Sequence, residues 1–277
     1  MAITNFIPTV WSENLYRELD KQYIAVNNCN REFEGDIREK GNVVKICGLG
    51  NVKVSDYVKN VNMGAPETLS DSVRELVIDQ AKYFNFQIDD VDRAQSSPRL
   101  MELAMKNAAS ALANAADAHI FSLHKDATQR ITRDDITKDN IVDTLIAART
   151  KLFSKNVANA DDIVVEVSPE IAELILKSKI ELCTDNTAAL ENGCIGSIAG
   201  CKIFVSNNVV CEEDDNGIPV HKCFVRTKRS IAYAEQLSEI DAYRPELRFA
   251  DAVKGLHLYG AKLVYTDELI LLNLTIA

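Results

Sequence analysis

The chain has 277 residues, 47% hydrophobic and 26% charged, a balance that excludes a disordered or coiled-coil protein and suffices for one large or two modest domains. Its formal charge of -10 argues against a protein that works by gripping phosphates, because that affinity comes from clustered Lys and Arg. Residues 1–9 lack the basic start and apolar run of a secretory signal. The seven cysteines, an odd number, are therefore expected as reduced thiols.

Residues 2–10 contain Pro8 and no period, which predicts an extended arm. Leu15, Tyr16, Leu19 and Tyr23 then fall at helical spacing, with Glu13, Arg17, Glu18 and Asp20 on other faces, so a short helix follows.

From Cys29 to about Asp90 the pattern is that of a long hairpin. Residues 43–46, 52–58 and 76–88 are strand-like and separated by Gly48, Gly50, Gly64 and Pro66. In the last strand Phe84, Phe86 and Ile88 alternate with Asn85, Gln87 and Asp89, so one face demands burial, yet little within the segment can cover it. A two-stranded ribbon is marginal alone and should lie on its own body or on a neighbour. The polar stretch 58–72 reads as a tip or long connection.

Ser97 before Pro98 is a helix start, and a long helix to about Lys125 is expected, about 40 Å long at ~1.5 Å per residue. Glu102, Lys106, Ser110, Asn114 and Asp117 form a narrow polar stripe, with Leu100, Leu103, Leu112, Ile120 and Leu123 on the covered side. The same charges exclude a membrane span over this most apolar stretch. Beyond it the pattern predicts helices at 139–153 and 169–177, strands at 163–167, 202–205 and 223–226, and a closing strand pair at 253–265 and 269–276. Glu212 to Gly217 reads as a solvated hairpin turn, with calcium binding disfavoured because the ligand spacing does not alternate.

Motifs for catalysis are missing. Gly48-Leu49-Gly50 has no third glycine and leads into a strand, and Gly193, Gly196 and Gly200 lack the lysine and helix of a phosphate loop. No Gly-x-Ser-x-Gly pentapeptide occurs. His119, His124 and His257 sit in regular elements, where satisfied structural roles are the ordinary case. Asp89, Asp90 and Asp92 read as an exposed strand end. Cys183, Cys194, Cys201, Cys211, Cys223 and His221 crowd one quarter of the sequence, but without Cys-x-x-Cys spacing. No catalytic residue, metal or cofactor is expected, and a soluble metal-dependent enzyme using Cys183 to Cys223 stays as the rival of another class.

Several stretches resemble the major capsid protein of tailed bacteriophages, the Hong Kong 97-type fold. They are Phe6-Ile7-Pro8-Thr9-Val10-Trp11, then Asn30-Arg31-Glu32-Phe33-Glu34-Gly35 with Gly41-Asn42-Val43-Val44-Lys45-Ile46, then residues 196–208, and then Phe249 through Gly260-Ala261-Lys262-Leu263-Val264. Their order covers nearly the whole chain. Cys201 departs from the aromatic residue expected at that place.

The resemblance implies an α+β fold divided into an N-terminal arm and short helix (1–28), an extended β-hairpin loop (29–90), a peripheral domain with a spine helix (91–160), an axial domain (161–241) and return strands of the peripheral domain (242–277). It implies no enzymatic activity and a structural subunit that self-assembles into an icosahedral head around double-stranded DNA. Its partners would be copies of itself in pentamers and hexamers, with scaffold, portal and enclosed DNA, and no membrane. The place would be the virion capsid, assembled in the host cytoplasm. Trp11, Tyr57, Lys59, Phe84 and Phe86 are the expected inter-subunit contacts. Lys59 is also the one candidate donor for an isopeptide cross-link, with no partner assigned. The chain begins almost at the arm, so the scaffolding function is expected from a cleaved segment or a separate protein. An encapsulin-like nanocompartment shell is the nearest alternative.

Overall fold

The computed structural model describes residues 15, 17–32, 43–49, 56, 59, 71–89, 100–155, 162–178, 193–214, 216–247 and 249–277. Residues 15 and 17–22 are helical (α1), and a 3-10 turn, Val26–Asn28, follows. β1 (Val43–Leu49) and β2 (Asp71–Val77) form an antiparallel ribbon, with Val43 opposite Val77. β3 (Gln80–Asp89) precedes the long helix α2 (Leu100–Ser122). Then come β4 (Gln129–Ile136), α3 (Ile141–Phe153), β5 (Ile163–Val167), α4 (Pro169–Lys177), β6 (Cys194–Ile198) and β7 (Cys201–Val205). The chain continues through β8 (Cys211–Glu213), β9 (Pro219–Thr227), β10 (Ile231–Tyr243), β11 (Ala250–Leu263) and β12 (Leu269–Ile276).

A mixed seven-stranded sheet runs β4-β12-β9-β5-β7-β6, with β8 paired to β9. Its middle strands read as apolar runs because both faces are covered: in β12 (Leu-Ile-Leu-Leu-Asn-Leu-Thr-Ile) only Asn273 and Ile276 are not fully buried. α3 contributes Ile141, Leu145, Ala148 and Leu152 to the core, and α4 contributes Ile171, Ala172 and Ile175. α4 starts where it does because Ser168 accepts a hydrogen bond from the Ile171 N–H and Pro169 occupies the first turn.

A three-stranded antiparallel sheet, β10-β11-β3, forms the second layer. Alternation sends Tyr233, Val253 and Tyr259 toward α2, where the Tyr259 hydroxyl donates to the Ala115 carbonyl at 3.3 Å. α2 approaches closely because Ala109, Ala113 and Ala116 fill its buried face. The opposite face of the sheet carries Ala232, Ala234 and Leu258, and on it lies the root of the ribbon through Val44, Ile46, Leu76 and Ile78.

Several expectations need correction. The strand expected at 76–88 is two strands broken at Ile78 and Asp79, so β2 pairs with β1 whereas β3 joins β11, and the body itself covers part of the apolar face. Asp117 is buried, because the solvent stripe of α2 runs on through Asn114 and Ala118, and Leu103 is exposed on that stripe. The two closing strands do not pair with each other: β11 lies in the three-stranded sheet and β12 in the seven-stranded one. β4, β6, β8 and β10 went unforeseen. In the sheets, β10 sits with β11 and β3, whereas β4 and β12 sit with β5 to β9. Of the strand expected at 52–58 only residue 56 is described, outside any regular element, and the Ser97 cap lies outside the described residues.

Candidate assembly surfaces

Residues 23–31 link the arm to the ribbon, and the body satisfies their polar groups one by one. Asp117 of α2 accepts hydrogen bonds from the Ile24, Ala25 and Val26 N–H groups, each at 3.1 Å, which are the donors left over before a 3-10 turn. Arg226 of β9 donates to the Asn28 carbonyl at 2.5 Å and the Ala25 carbonyl at 3.0 Å. The same guanidinium forms a two-point pair with Glu166 of β5 at 2.9 and 2.8 Å, and the Asn28 amide donates to that carboxylate at 3.2 Å. Asn30 exchanges backbone bonds of 2.9 Å with Ile231 and Tyr233 of β10.

A second cluster closes over Glu235 of β10. Its carboxylate accepts from the Tyr23 hydroxyl at 2.5 Å and the Tyr233 hydroxyl at 2.9 Å, and pairs with Arg31 at 2.7 Å. His257 Nε2 lies 3.0 Å away, and its buried Nδ1 has no protein partner among the described residues. Arg31 also reaches Asp20 of α1 at 2.9 Å.

These surroundings set the charges. Burial pushes the Asp117 carboxyl up to about 6 against the pull of its three N–H donors. For Glu235 burial also pushes upward, but His257, Tyr23 and Arg31 outweigh it and hold the acid below its usual range. Burial opposes the charge on Arg226, and Glu166 more than compensates, so the guanidinium stays protonated. The Cys29 thiol beside it is pushed by burial up to about 12.

Two glycines allow close approach at the three-stranded sheet. A Cβ at Gly260 would stand 2.3 Å from the Val77 carbonyl oxygen, so only glycine lets the ribbon root settle on β11. A Cβ at Gly255 would meet the Phe84 ring at 2.4 Å, so that ring lies across the bare backbone of its register partner.

Of the expected contact residues, Phe84 and Phe86 are stacked at 5.9 Å between centroids and half-buried against the chain's own core. Lys59 is exposed in a turn. Trp11 and Tyr57 lie outside the described residues. Among the described residues the apolar side chains most open to solvent are instead Leu247 at 96%, Phe249 at 83% and Tyr83 at 78%, the first two in the connection between β10 and β11. Sequence reasoning missed them, although Leu-Arg-Phe in a stretch between two strands was a readable signal.

The crowded cysteines do not converge. Cys194, Cys201 and Cys223 are buried and Cys211 is exposed, and burial pushes the Cys223 thiol up to about 12. Among the described residues no three His, Cys, Asp or Glu gather as metal ligands; Cys183 lies outside them. Two more histidines find partners: His221 stands 3.0 Å from the Ser168 hydroxyl, and His124 stands 3.0 Å from the Phe121 carbonyl and 3.4 Å from Glu212, whereas His119 packs edge-on to Tyr259 and its buried Nε2 has no hydrogen-bond partner among the described residues. The acidic turn forms as expected, with Asp214 accepting from the Asn216 and Ile218 N–H groups and Gly217 at φ +76°.

No family model and no curated protein matches the chain. Solved structures do. A chain from Mycobacterium phage Che8 aligns with 99% of this chain and 94% of its own length, at 28% identity and a TM-score of 0.69. The capsid of Ralstonia phage GP4 aligns with 90% of this chain and 86% of its own, at 13% identity and a TM-score of 0.70. This chain has the tailed-phage major capsid protein fold of the Hong Kong 97 type. The fold extends further, since a virus-like particle from Pyrococcus furiosus aligns with 94% of this chain and 96% of its own, at 11% identity and a TM-score of 0.58.

The burial of the acids Asp117, Glu166 and Glu235 is the feature of these surfaces that sequence reasoning did not anticipate. Glu166 had a signal: a lone charge inside Ile-Val-Val-Glu-Val asks for a buried partner.

Proposed function

We propose that the chain is the major capsid subunit of a tailed phage, a structural protein that builds the icosahedral head around double-stranded DNA. The observation that carries this reading is the 28% identity and near-complete mutual coverage with the Che8 chain. An identity of 28% with the Che8 chain against 11% with the Pyrococcus furiosus particle favours the phage head over a cellular nanocompartment.

In this reading the seven-stranded sheet with α3 and α4 is the axial part, and α2 with the three-stranded sheet is the peripheral part, α2 being the spine. Copies meet in pentamers and hexamers, with scaffold and portal as further partners, and DNA is held by enclosure. A net charge of -10 suits containment, which needs a strong wall and weak affinity for the contents. The ribbon and arm reach neighbours through Trp11, Tyr57 and Lys59, and through the area of Phe84 and Phe86 that their own core leaves open. Heterologous contacts of this kind close into rings when the rotation closes.

Negative-stain microscopy of the expressed protein tests the reading. Shells, tubes or capsomers are expected, and a strict monomer under all conditions overturns it. Deleting residues 48–72 should leave a folded body that forms no stable shells; normal particles from that deletion would remove the assembly role of the ribbon.

A further inference from the structure

Among the described residues the three-stranded and seven-stranded sheets share no strand pairing. Apolar packing between them is non-directional, whereas hydrogen bonds fix an angle. Residues 23–31 supply such bonds to both sides. Toward the three-stranded sheet, Tyr23 and Arg31 bind Glu235, and Asn30 is bonded along β10. Toward the seven-stranded sheet, Ala25 and Asn28 bind Arg226, and Asn28 binds Glu166. Asp117 anchors the middle of the segment to α2.

We propose that segment 23–31 is a pin that fixes the angle between the two sheets, with Arg226 and Arg31 as its positioning residues. Arg226 locks the pin to β5 and β9. Arg31 locks it to β10 and, through Asp20, ties the arm helix to the same point. Because the segment joins the arm to the ribbon, the angle and the directions in which both leave the body are set together. The consequence for curvature of a shell rests on the capsid reading; the pin itself does not.

The experiment uses Arg31→Ala, which leaves Glu235 with its two tyrosines and His257. Two measurements are made on the purified chain, assembled or not. In hydrogen exchange, amides at 24–29 should exchange about tenfold faster, the equivalent of one lost charged hydrogen bond, whereas β12 amides keep their rate. In pulsed dipolar spectroscopy between spin labels at the exposed positions Gln87 of β3 and Lys202 of β7, with Cys47, Cys183 and Cys211 replaced by serine, the distance distribution should broaden.

An unchanged distribution, or acceleration at 24–29 only in step with β12, overturns the pin. Tyr23→Phe removes a single hydroxyl contact to Glu235 and carries the same expectation if Arg31→Ala does not fold. Failure to form particles counts against the capsid reading alone, because neither measurement depends on assembly.

Discussion

Arg226 and Glu166 are diagonal neighbours on two paired strands, since Arg226 stands opposite Val164 and Glu166 opposite Phe224, and both side chains are wholly excluded from solvent. Diagonal spacing on an antiparallel pair is within reach of long side chains, which explains the two-point contact. Desolvation offsets most of the attraction in such a pair, so its net contribution is small, but losing one partner strands the other charge.

Arg226→Met should therefore destabilise the subunit by about 3–5 kcal/mol in urea unfolding, through Glu166 left without its cation and the Asn28 carbonyl without the guanidinium that donates to it; the Ala25 carbonyl keeps the Asn28 N–H. The double variant Glu166→Gln with Arg226→Met should lose less than the sum of the single losses. Strict additivity would mean that the two groups act independently.

Gly260→Ala should lift the ribbon root. A methyl group 2.3 Å from the Val77 oxygen meets backbone that cannot rotate away, at a cost of about 1–3 kcal/mol. Amide exchange at Leu76 and Ile78 should accelerate while β12 stays protected. Gly255→Ala is the control: the nearest atoms its methyl meets belong to the Phe84 ring, a half-buried side chain that can shift more easily than backbone, so a milder effect is expected.

The parts legible in the sequence were those governed by local pattern. α3, α4, β5 and β12 came from periodicity and the turn at Asp214 from its chemistry, because each is decided by neighbours along the chain. β10 was not legible: Ile-Ala-Tyr-Ala-Glu-Gln-Leu-Ser-Glu alternates only in part, and its buried Glu235 looks like a surface charge until Tyr23, Arg31 and His257 arrive from distant positions. Asp117 misled for the same reason. Four-residue spacing placed it on the polar stripe, and only the folded position of residues 24–26 makes a buried carboxylate satisfiable there.

Asp117 should make stability depend on pH in an unusual direction. Its folded value of about 6 lies above the ~3.9 of an unfolded chain, so its contribution is fully present below about pH 4 and is lost as pH rises through 6. Two units correspond to about 3 kcal/mol at most. Comparing wild type with Asp117→Asn in urea at pH 4.5 and pH 7 isolates this group from Glu235 and the histidines. The wild type should gain relative to the variant at the lower pH; a constant difference would show that Asp117 does not titrate in this range.

Leu247 and Phe249 face solvent almost completely, and exposed side chains in no contact contribute little to the fold. Replacing both with serine should leave the unfolding free energy of the subunit within about 0.5 kcal/mol. A chain that assembles has a second use for apolar side chains held on a connection between two long strands, because covering each on a neighbour removes apolar area from water at about 25 cal/mol per Å2. That gain repeats at every copy, so a change invisible in the subunit should appear as a higher concentration needed for particle formation, read by light scattering. If the variant assembles at the wild-type concentration, this connection lies outside the contacts between copies. If the subunit itself unfolds more easily, the two side chains are packed in solution, contrary to their exposure here.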